Sequence, residues 1–508
     1  MSPRRLLWVL IIASGLIRLG WGAVLGLGMD EAYHSLFLDH PAWSFFDHPP
    51  MLALVEAMGV ALAGGRVAPI TLRLGFILLF AGSTWLMARL TTRLFGPRAG
   101  LLAAFALNVS AYHTAAAGAF ALPDGPLLFF WLLTLDRLVV ALDRPDRWGG
   151  WFLVGLAWGG GMLSKYHAVF LPAGVVLFAV LEPSARHLLR RAGPYLAVAV
   201  GLALFAPVLY WNATHEWASF LFQGERAVGG LRFRPMALAG AIGGQAAYLF
   251  PWLWAILVAI LADRLRFFYR GASVVERFLV CQSVIPLAVF TAVACVRPVL
   301  PHWTLVAYLA IFPLVGRAWE NRWTLDPART RRRFVTLAVI PLVAMAIMVA
   351  QFETGVLNRL GLPGKFDPTA DLFGWDQIDA EIRRQGWLDR PGTFLFTGTW
   401  YLSGQVGFAA RNEDVPVLCY NQREPHNFAF WSQPADFVGR DGILISVDEA
   451  RHEPACFARF FERIDPPVAF DVTRLGRPIR RVRLYRCVRQ VVPFPYKIRA
   501  GSPGARHR

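Results

Sequence analysis

Residues 6–28, LLWVLIIASGLIRLGWGAVLGLG, form an apolar run that is long enough to cross a lipid bilayer. The run is followed almost at once by residues 30–50, DEAYHSLFLDHPAWSFFDHPP, which contain four acidic residues and three histidines. An apolar span that opens directly into such a polar segment predicts that the chain leaves the bilayer here. Its apolar residues at near-helical spacing predict that residues 31–43 lie along the membrane surface.

Apolar residues dominate most of the chain. Of its 508 residues, 56% are hydrophobic and only 17% are charged, which is too little polar surface for a soluble protein of this length. The repeated runs predict a polytopic α-helical membrane protein with about eleven spans, and therefore a lipid bilayer as its surroundings. The predicted spans are residues 6–28, 69–95, 99–120, 124–142, 150–164, 167–182, 193–211, 236–262, 277–296, 303–318 and 334–351.

The arginines predict how the chain is oriented. A net charge of +17 could indicate a nucleic-acid partner, but the arginines lie in short clusters between apolar runs, so we expect no nucleic acid. If the N-terminus is inside, arginine-rich inner loops alternate with outer loops that are poorer in basic residues. This places loop 29–68 on the outer face, which is the periplasmic side of a bacterial inner membrane.

The composition changes after residue 351. Short β-like runs, TFLFTG (393–398), VPVLCY (415–420) and DGILISV (441–447), appear with a helix-like segment at 376–388. We interpret residues 1–351 as the transmembrane domain and residues 352–490 as a soluble α/β or α+β domain on the periplasmic side. Residues 491–508 are predicted to be a disordered tail.

The first outer loop offers two groups of candidate site residues. Asp30 and Glu31 stand where the first span ends, and Asp47 and His48 precede Pro49-Pro50, which favour the start of a helix. The N–H groups at a helix start attract anions. An ordinary polar loop would explain any one of these acids, but the Asp-Glu pair together with Asp-His-Pro-Pro favours a functional site.

Two further candidates stand at the predicted outer ends of spans. Asp124 begins an apolar run, where it is either a helix-capping acid or a functional carboxylate at membrane depth. Lys165 is the only lysine in the hydrophobic two-thirds of the chain, and it lies on the side that basic residues normally avoid. A lysine there either reaches toward the headgroups or binds a negative partner.

Four more basic residues are candidate phosphate ligands. They lie in later outer loops and are Arg226, Arg234, Arg297 and His302. A solvated basic loop and a structural histidine are the alternatives. Carboxylates and cations at one membrane face suit a lipid-phosphate substrate, because cations can hold a phosphate leaving group while a carboxylate acts as general base on an acceptor hydroxyl.

Four segments in order carry a resemblance to a known family. Residues 30–55, 122–133, 161–174 and 297–310 resemble bacterial membrane glycosyltransferases of the GT-C type. That group includes the dolichyl-phosphate-mannose protein mannosyltransferases and the lipid A aminoarabinose transferases. Residues 394–410 also look like the C-terminal domain of one bacterial branch.

The resemblance implies a reaction and a set of roles. The reaction is an inverting sugar transfer from a polyprenyl-phosphate donor, such as undecaprenyl phosphate, to lipid A, another glycolipid or a protein. The family's acidic motif matches Asp30-Glu31, with Asp30 as the favoured base, and its second acid matches Asp124. Its aromatic-acid-basic-Pro-Pro motif matches residues 46–50. The basic position, a lysine in the aminoarabinose transferases, is His48 here, so Lys165 becomes the candidate for binding the donor phosphate.

Other functions remain open at this level. A transporter or flippase of lipid-linked sugars would also need charges near a membrane face, but it should show internal repeats with interrupted spans, and no clear repeat is visible. A protein O-mannosyltransferase-like enzyme and a receptor or structural subunit are further alternatives. No cofactor is evident, and a requirement for a divalent metal stays open.

Overall fold

The computed structural model describes residues 1–227, 232–361, 366–447 and 454–497, and the chain divides into two units. The helical unit comprises residues 1–23, 48–213 and 220–343. The sheet unit comprises residues 24–47, 214–219 and 344 onward. The predicted fold class, a polytopic α-helical protein with a sheet-containing C-terminal region, is confirmed. Most of the predicted tail, residues 498–508, lies outside the described residues.

The α-helices are numbered in chain order. They are α1 (Pro3–Val24), α2 (Met29–Ser35), α3 (Met51–Leu62), α4 (Pro69–Phe95), α5 (Pro97–Asn108), α6 (Ala111–Ala115), α7 (Asp124–Asp143), α8 (Trp148–Ser164), α9 (Phe170–Leu181), α10 (Ala192–Thr214), α11 (Ala218–Ala227), α12 (Pro235–Leu249), α13 (Pro251–Arg266), α14 (Val274–Ala294), α15 (Phe312–Leu325), α16 (Pro327–Thr354), α17 (Val356–Arg359), α18 (Trp375–Arg384), α19 (Trp400–Ala409) and α20 (Phe428–Trp431).

Within the described ranges, fewer helices than predicted are long and apolar enough to cross a membrane alone. Six qualify, namely α1, α4, α7, α10, α14 and α16, and the pair α12–α13 gives up to seven if it counts as one span bent by 111°. Predicted span 99–120 divides into α5 and α6, and predicted span 303–318 begins as a 3₁₀ helix, Pro301–Tyr308. The remaining predicted spans correspond to shorter or broken helices, because an apolar run does not reveal where a helix breaks.

Helices α7 and α8 form an antiparallel hairpin that positions the candidate site. The connection between them is only residues 144–147, so the start of α7 and the end of α8 lie at the same end of the hairpin. Gly160 permits the close packing, because a Cβ there would lie 2.4 Å from the Phe130 ring. Trp131 and Trp151 are fully buried in the core around these helices.

The sheet unit contains a mixed six-stranded sheet. Its strands are β1 (Phe394–Thr397), β2 (Val417–Cys419), β3 (Gly442–Val447), β4 (Phe461–Ile464), β5 (Val468–Arg474) and β6 (Arg477–Gln490). The order is β2-β1-β3-β6-β4, and β5 also pairs with β6. Strand β1 is parallel to β2 and β3, whereas β6 runs antiparallel to β3, β4 and β5. All residues of β1 and β3 are buried, as expected for strands covered on both faces.

Helix α2, from the first polar loop, packs on α19 within the sheet unit. The two backbones approach closely at Gly404, where a Cβ would lie 2.7 Å from Cα and Cβ of Tyr33. A second glycine, Gly407, faces the Leu36 side chain in the same way. The loop that carries the candidate acids Asp30 and Glu31 is therefore held against a helix of the C-terminal region.

Gly404→Ala is expected to destabilise the sheet unit. The added methyl group meets backbone atoms of Tyr33, and such overpacking costs about 1–3 kcal/mol, more than the roughly 1 kcal/mol that alanine gains over glycine in a helix. Thermal unfolding of the purified protein would show a lower midpoint. Gly20→Ala is the matched control, because a Cβ at that helical position meets nothing within 4 Å. A wild-type midpoint for Gly404→Ala would contradict the close packing.

Candidate active site

Asp124 and Lys165 form a buried ion pair in the helical unit. The Nζ of Lys165 lies 2.9 Å from Oδ1 and 3.0 Å from Oδ2 of Asp124. Asp124 is the first residue of α7, and Lys165 follows the last residue of α8. The positive end of α7 stabilises the carboxylate, and the negative end of α8 stabilises the ammonium group. The fold thus joins the second predicted acid to the predicted phosphate-binding cation.

Two rings from other parts of the helical unit border this pair. The hydroxyl group of Tyr112, on α6, donates a hydrogen bond to the Asp124 carboxylate. The Tyr112 ring stacks on the ring of His302 with their centroids 5.9 Å apart. His302 is also near enough to Asp124 to interact with it electrostatically. The predicted residue His302 therefore belongs beside Asp124, and Tyr112 is a member that the sequence did not reveal.

A second histidine extends the group. The ring of His167 stacks on Phe290 at 5.1 Å and interacts electrostatically with Lys165, His302 and His48. Its Nε2 atom is buried and makes no hydrogen bond to any described residue. A buried polar atom without a partner is unusual and suits a ligand atom such as a phosphate oxygen. We call Tyr112, Asp124, Lys165, His167, His302 and His48 the Asp124 cluster.

The predicted arginine ligands are only partly described. The backbone N–H group of Arg234, at the start of α12, donates to the carbonyl oxygen of Cys295 at 2.7 Å. Arg297 follows two residues after Cys295, so the two arginines lie at one connection of the helical unit. Arg226 is in α11, but its side chain lies outside the described residues. All three arginines stay predictions as phosphate ligands.

The two acids at the start of α2 differ in their surroundings. Glu31 is 2% exposed, and its Oε2 accepts the backbone N–H group of Gly28 at 2.9 Å, which caps the helix. Asp30 is exposed, and no hydrogen bond or ion pair to its carboxylate occurs among the described residues. Of the two, Asp30 has the carboxylate that is available to a substrate.

Asp47 is buried in the sheet unit by residues from the distant C-terminal region. Its Oδ2 lies 2.8 Å from Nδ1 of His426, and its Oδ1 accepts from Nδ2 of Asn427 at 3.0 Å. The hydroxyl of Tyr33 accepts two hydrogen bonds from Asn427 and donates to Asp47. Burial, and then the charge of Asp47, raise the pKa of Tyr33, so the phenol stays protonated.

These contacts give Asp47 a clear structural task. Both of its oxygens hold the end of loop 24–47 on the segment that contains His426 and Asn427. The sequence did not reveal this link, since the partners are 379 residues apart along the chain. Direct contact of Asp47 with a donor headgroup stays a prediction.

The described residues contain no group of three or more histidine, cysteine, aspartate or glutamate side chains that could hold a metal ion. Whether the protein requires a divalent metal therefore stays open.

Three comparisons relate the chain to known proteins. The family described as dolichyl-phosphate-mannose-protein mannosyltransferase matches residues 47–211. The lipid A galacturonosyltransferase RgtD of Rhizobium johnstonii is 27% identical over 56% of this chain and 58% of its own length. The lipopolysaccharide core galacturonosyltransferase RgtA of the same organism is 27% identical over 77% of each chain.

Solved structures show the same fold. ArnT from Cupriavidus metallidurans in the apo state has a TM-score of 0.62 at 16% identity, over 95% of this chain and 98% of that one. The Archaeoglobus fulgidus oligosaccharyltransferase in the apo form has a TM-score of 0.50 at 12% identity, over 94% of this chain and 76% of that one. The family match across α3 to α10, the two curated relatives and this shared fold make the chain similar to membrane glycosyltransferases of the GT-C type.

Proposed function

We propose that this protein transfers a sugar from a polyprenyl-phosphate donor, such as undecaprenyl phosphate, to lipid A or another envelope glycolipid. The proposed site of transfer is the periplasmic face of a bacterial inner membrane. The observation that carries the proposal is the Asp124 cluster, where a buried lysine, His167 and His302 lie near one carboxylate in the helical unit and His48 lies near His167. Such a group suits a phosphate that must be held at membrane depth.

The reaction can be written with this chain's residues. A carboxylate, proposed to be Asp30, removes the proton from the acceptor hydroxyl. The acceptor oxygen then attacks the anomeric carbon from the side opposite the phosphate, and the bond between that carbon and the phosphate oxygen breaks. Polyprenyl phosphate leaves with the bonding electrons. Lys165 and the histidines stabilise the negative charge that develops on the leaving phosphate.

Asp30 suits the role of base better than Asp124 does. The Asp124 carboxylate already accepts hydrogen bonds from Lys165 and Tyr112, so its oxygens are occupied by these partners. We assign Asp124 the task of holding Lys165 in place and Asp30 that of accepting the proton. His48 is proposed as a second donor to the phosphate, with Arg226, Arg234 and Arg297 as further cationic candidates.

The sugar is proposed on narrower grounds. The two curated relatives are named galacturonosyltransferases, one for lipid A and one for the lipopolysaccharide core. A galacturonosyl group on a polyprenyl phosphate is therefore the donor to test first. A protein acceptor is the alternative that the match to the mannosyltransferase family suggests.

The proposal predicts a specific change in envelope lipids. In a strain that lacks this protein, mass spectrometry should show glycolipids without one sugar, and the wild-type gene should restore that sugar. Asp30→Asn should reduce restoration by about 100-fold or more, because an amide cannot act as the base. The matched control is Asp39→Asn in the same loop, which removes only a surface ion pair with Arg411.

Two results would count against the proposed function. If deletion leaves every envelope glycan unchanged, the chain does not transfer a sugar to these acceptors. If Asp30→Asn restores the sugar as fully as Asp39→Asn does, Asp30 is not the base.

A further inference from the structure

A cavity of about 430 Å³ lies where α13, α15 and α16 meet in the helical unit. Three aromatic side chains, Trp252, Trp319 and Phe334, form part of its wall. The ring of Phe334 contacts the ring of Trp319 at 5.1 Å, which fixes the wall between α15 and α16. The cavity thus has a firm apolar side.

Its other side is strongly basic. Four arginines line it: Arg322, Arg329, Arg332 and Arg333. All four are exposed, and within the described ranges none forms an ion pair with a carboxylate. Nearby, in contrast, Arg264 and Arg317 both bind Glu276. The arginines of the cavity therefore carry positive charge that no acidic side chain in the described part of the chain balances by contact.

Around the cavity, arginine side chains outnumber carboxylates. Asp326, which lies between Arg322 and Arg329 in the sequence, accepts the backbone N–H group of Arg329 at 3.0 Å and so caps α16. One exposed carboxylate beside four guanidinium groups leaves a strong local attraction for an anion. Guanidinium groups bind phosphate oxygens in pairs, so four of them can serve two phosphates.

Helix α16 continues from the arginines as an apolar surface. In the most apolar 18-residue stretch of α16, only 17% of the residues are buried. Val335, Val339 and Leu342 are exposed along this helix. A ligand with its phosphate at the arginines could lie with a hydrocarbon chain along these side chains. The combination of a basic cavity and an adjoining apolar helix face fits a lipid better than it fits a free anion.

We propose that this cavity binds the headgroup of an anionic glycerophospholipid of the surrounding bilayer. The arginines lie within residues 319–333, between the predicted spans 303–318 and 334–351. The charge pattern predicts this segment to be inside and loop 29–68 to be outside, so the site is separate from the Asp124 cluster. If the arginines served only to set the orientation of the chain in the membrane, their positive charge would be enough, and the cavity with its aromatic wall would have no role. The bound lipid would fasten the start of α16 to α13 and α15.

The test uses the full-length protein in detergent and native mass spectrometry. Arg332→Gln/Arg333→Gln should bind added cardiolipin or phosphatidylglycerol about tenfold or more weakly than the wild type, because each basic residue at a lipid surface contributes attraction. Arg186→Gln/Arg190→Gln is the matched control. It also removes two exposed arginines that are predicted to face inside, but these do not line the cavity. The control should bind both lipids as the wild type does.

Further arms identify the source of the phosphate. Phosphatidylcholine should bind no better to the wild type than to the cavity variant, and inorganic phosphate should not displace the bound anionic lipid. Equal losses in both arginine variants would indicate general surface attraction and overturn the proposal. Unchanged binding by the cavity variant, displacement by inorganic phosphate, or a preference for polyprenyl phosphate over glycerophospholipids would overturn it as well.

Discussion

Lys165→Met is expected to reduce sugar transfer by about 100-fold or more, because it removes the cation proposed to hold the leaving phosphate. It should also destabilise the helical unit by about 3–5 kcal/mol, since the buried Asp124 carboxylate loses its partner. Transfer would be measured with a polyprenyl-phosphate sugar and lipid A, and stability by thermal unfolding in detergent.

The double variant Asp124→Asn/Lys165→Met separates these two effects. It removes both charges at once, so the unfolding midpoint should return close to that of the wild type. Transfer should stay as low as in Lys165→Met. If the pair only stabilises the hairpin of α7 and α8, the double variant would recover transfer together with stability, and the role of Lys165 at the phosphate would have to be abandoned.

Arg474→Met is expected to produce the largest loss of stability in the sheet unit, about 3–5 kcal/mol. Arg474 Nη1 donates to Oδ2 of Asp367 and to the carbonyl oxygen of Gln351, each at 2.9 Å, and both side chains of the ion pair are at most 3% exposed. Its Nη2 donates to the hydroxyl of Thr369. The substitution would leave the Asp367 carboxylate buried without a counter-ion.

The surroundings of Asp367 depend on this arginine. Burial alone would raise the pKa of Asp367, but hydrogen bonds from Gln351 and Thr369, together with the charge of Arg474, hold it below its usual value. A thermal or urea unfolding curve of the purified protein would measure the loss. The matched control is Arg481→Met, which breaks an exposed pair with Asp471 and should cost less than about 1 kcal/mol. Similar midpoints for the two variants would show that the buried network contributes little.

The sequence predicted elements whose pattern is local. Long apolar runs became α1, α4, α7, α10, α14 and α16, and the short β-like runs became β1, β2 and β3. It did not predict where an apolar run would break, as between α5 and α6 or at the bend between α12 and α13. Burial by lipid and burial by protein select the same residue types, so composition cannot distinguish one long span from two shorter helices.

The sequence likewise predicted some residues of the candidate site and missed others. The sequence singled out Asp124, Lys165 and His302, which the fold brings together. His167 was within reach, since it stands two residues after Lys165, whereas Tyr112 was hidden in an apolar run. His426 and Asn427 could not be found, because a pairing across 379 residues depends on the whole fold.

The way the sheet unit is assembled has a consequence for how the protein is made. Loop 24–47 is synthesised early, but the groups that bind Asp47 and Tyr33 belong to His426 and Asn427. At the usual pace of synthesis, about 5–20 residues per second, the ribosome needs roughly 20–80 seconds to add the 379 residues between Asp47 and His426. During that time the segment that carries Asp30 lacks its final support. His426 and Asn427 must therefore be synthesised before the proposed base can take its final position.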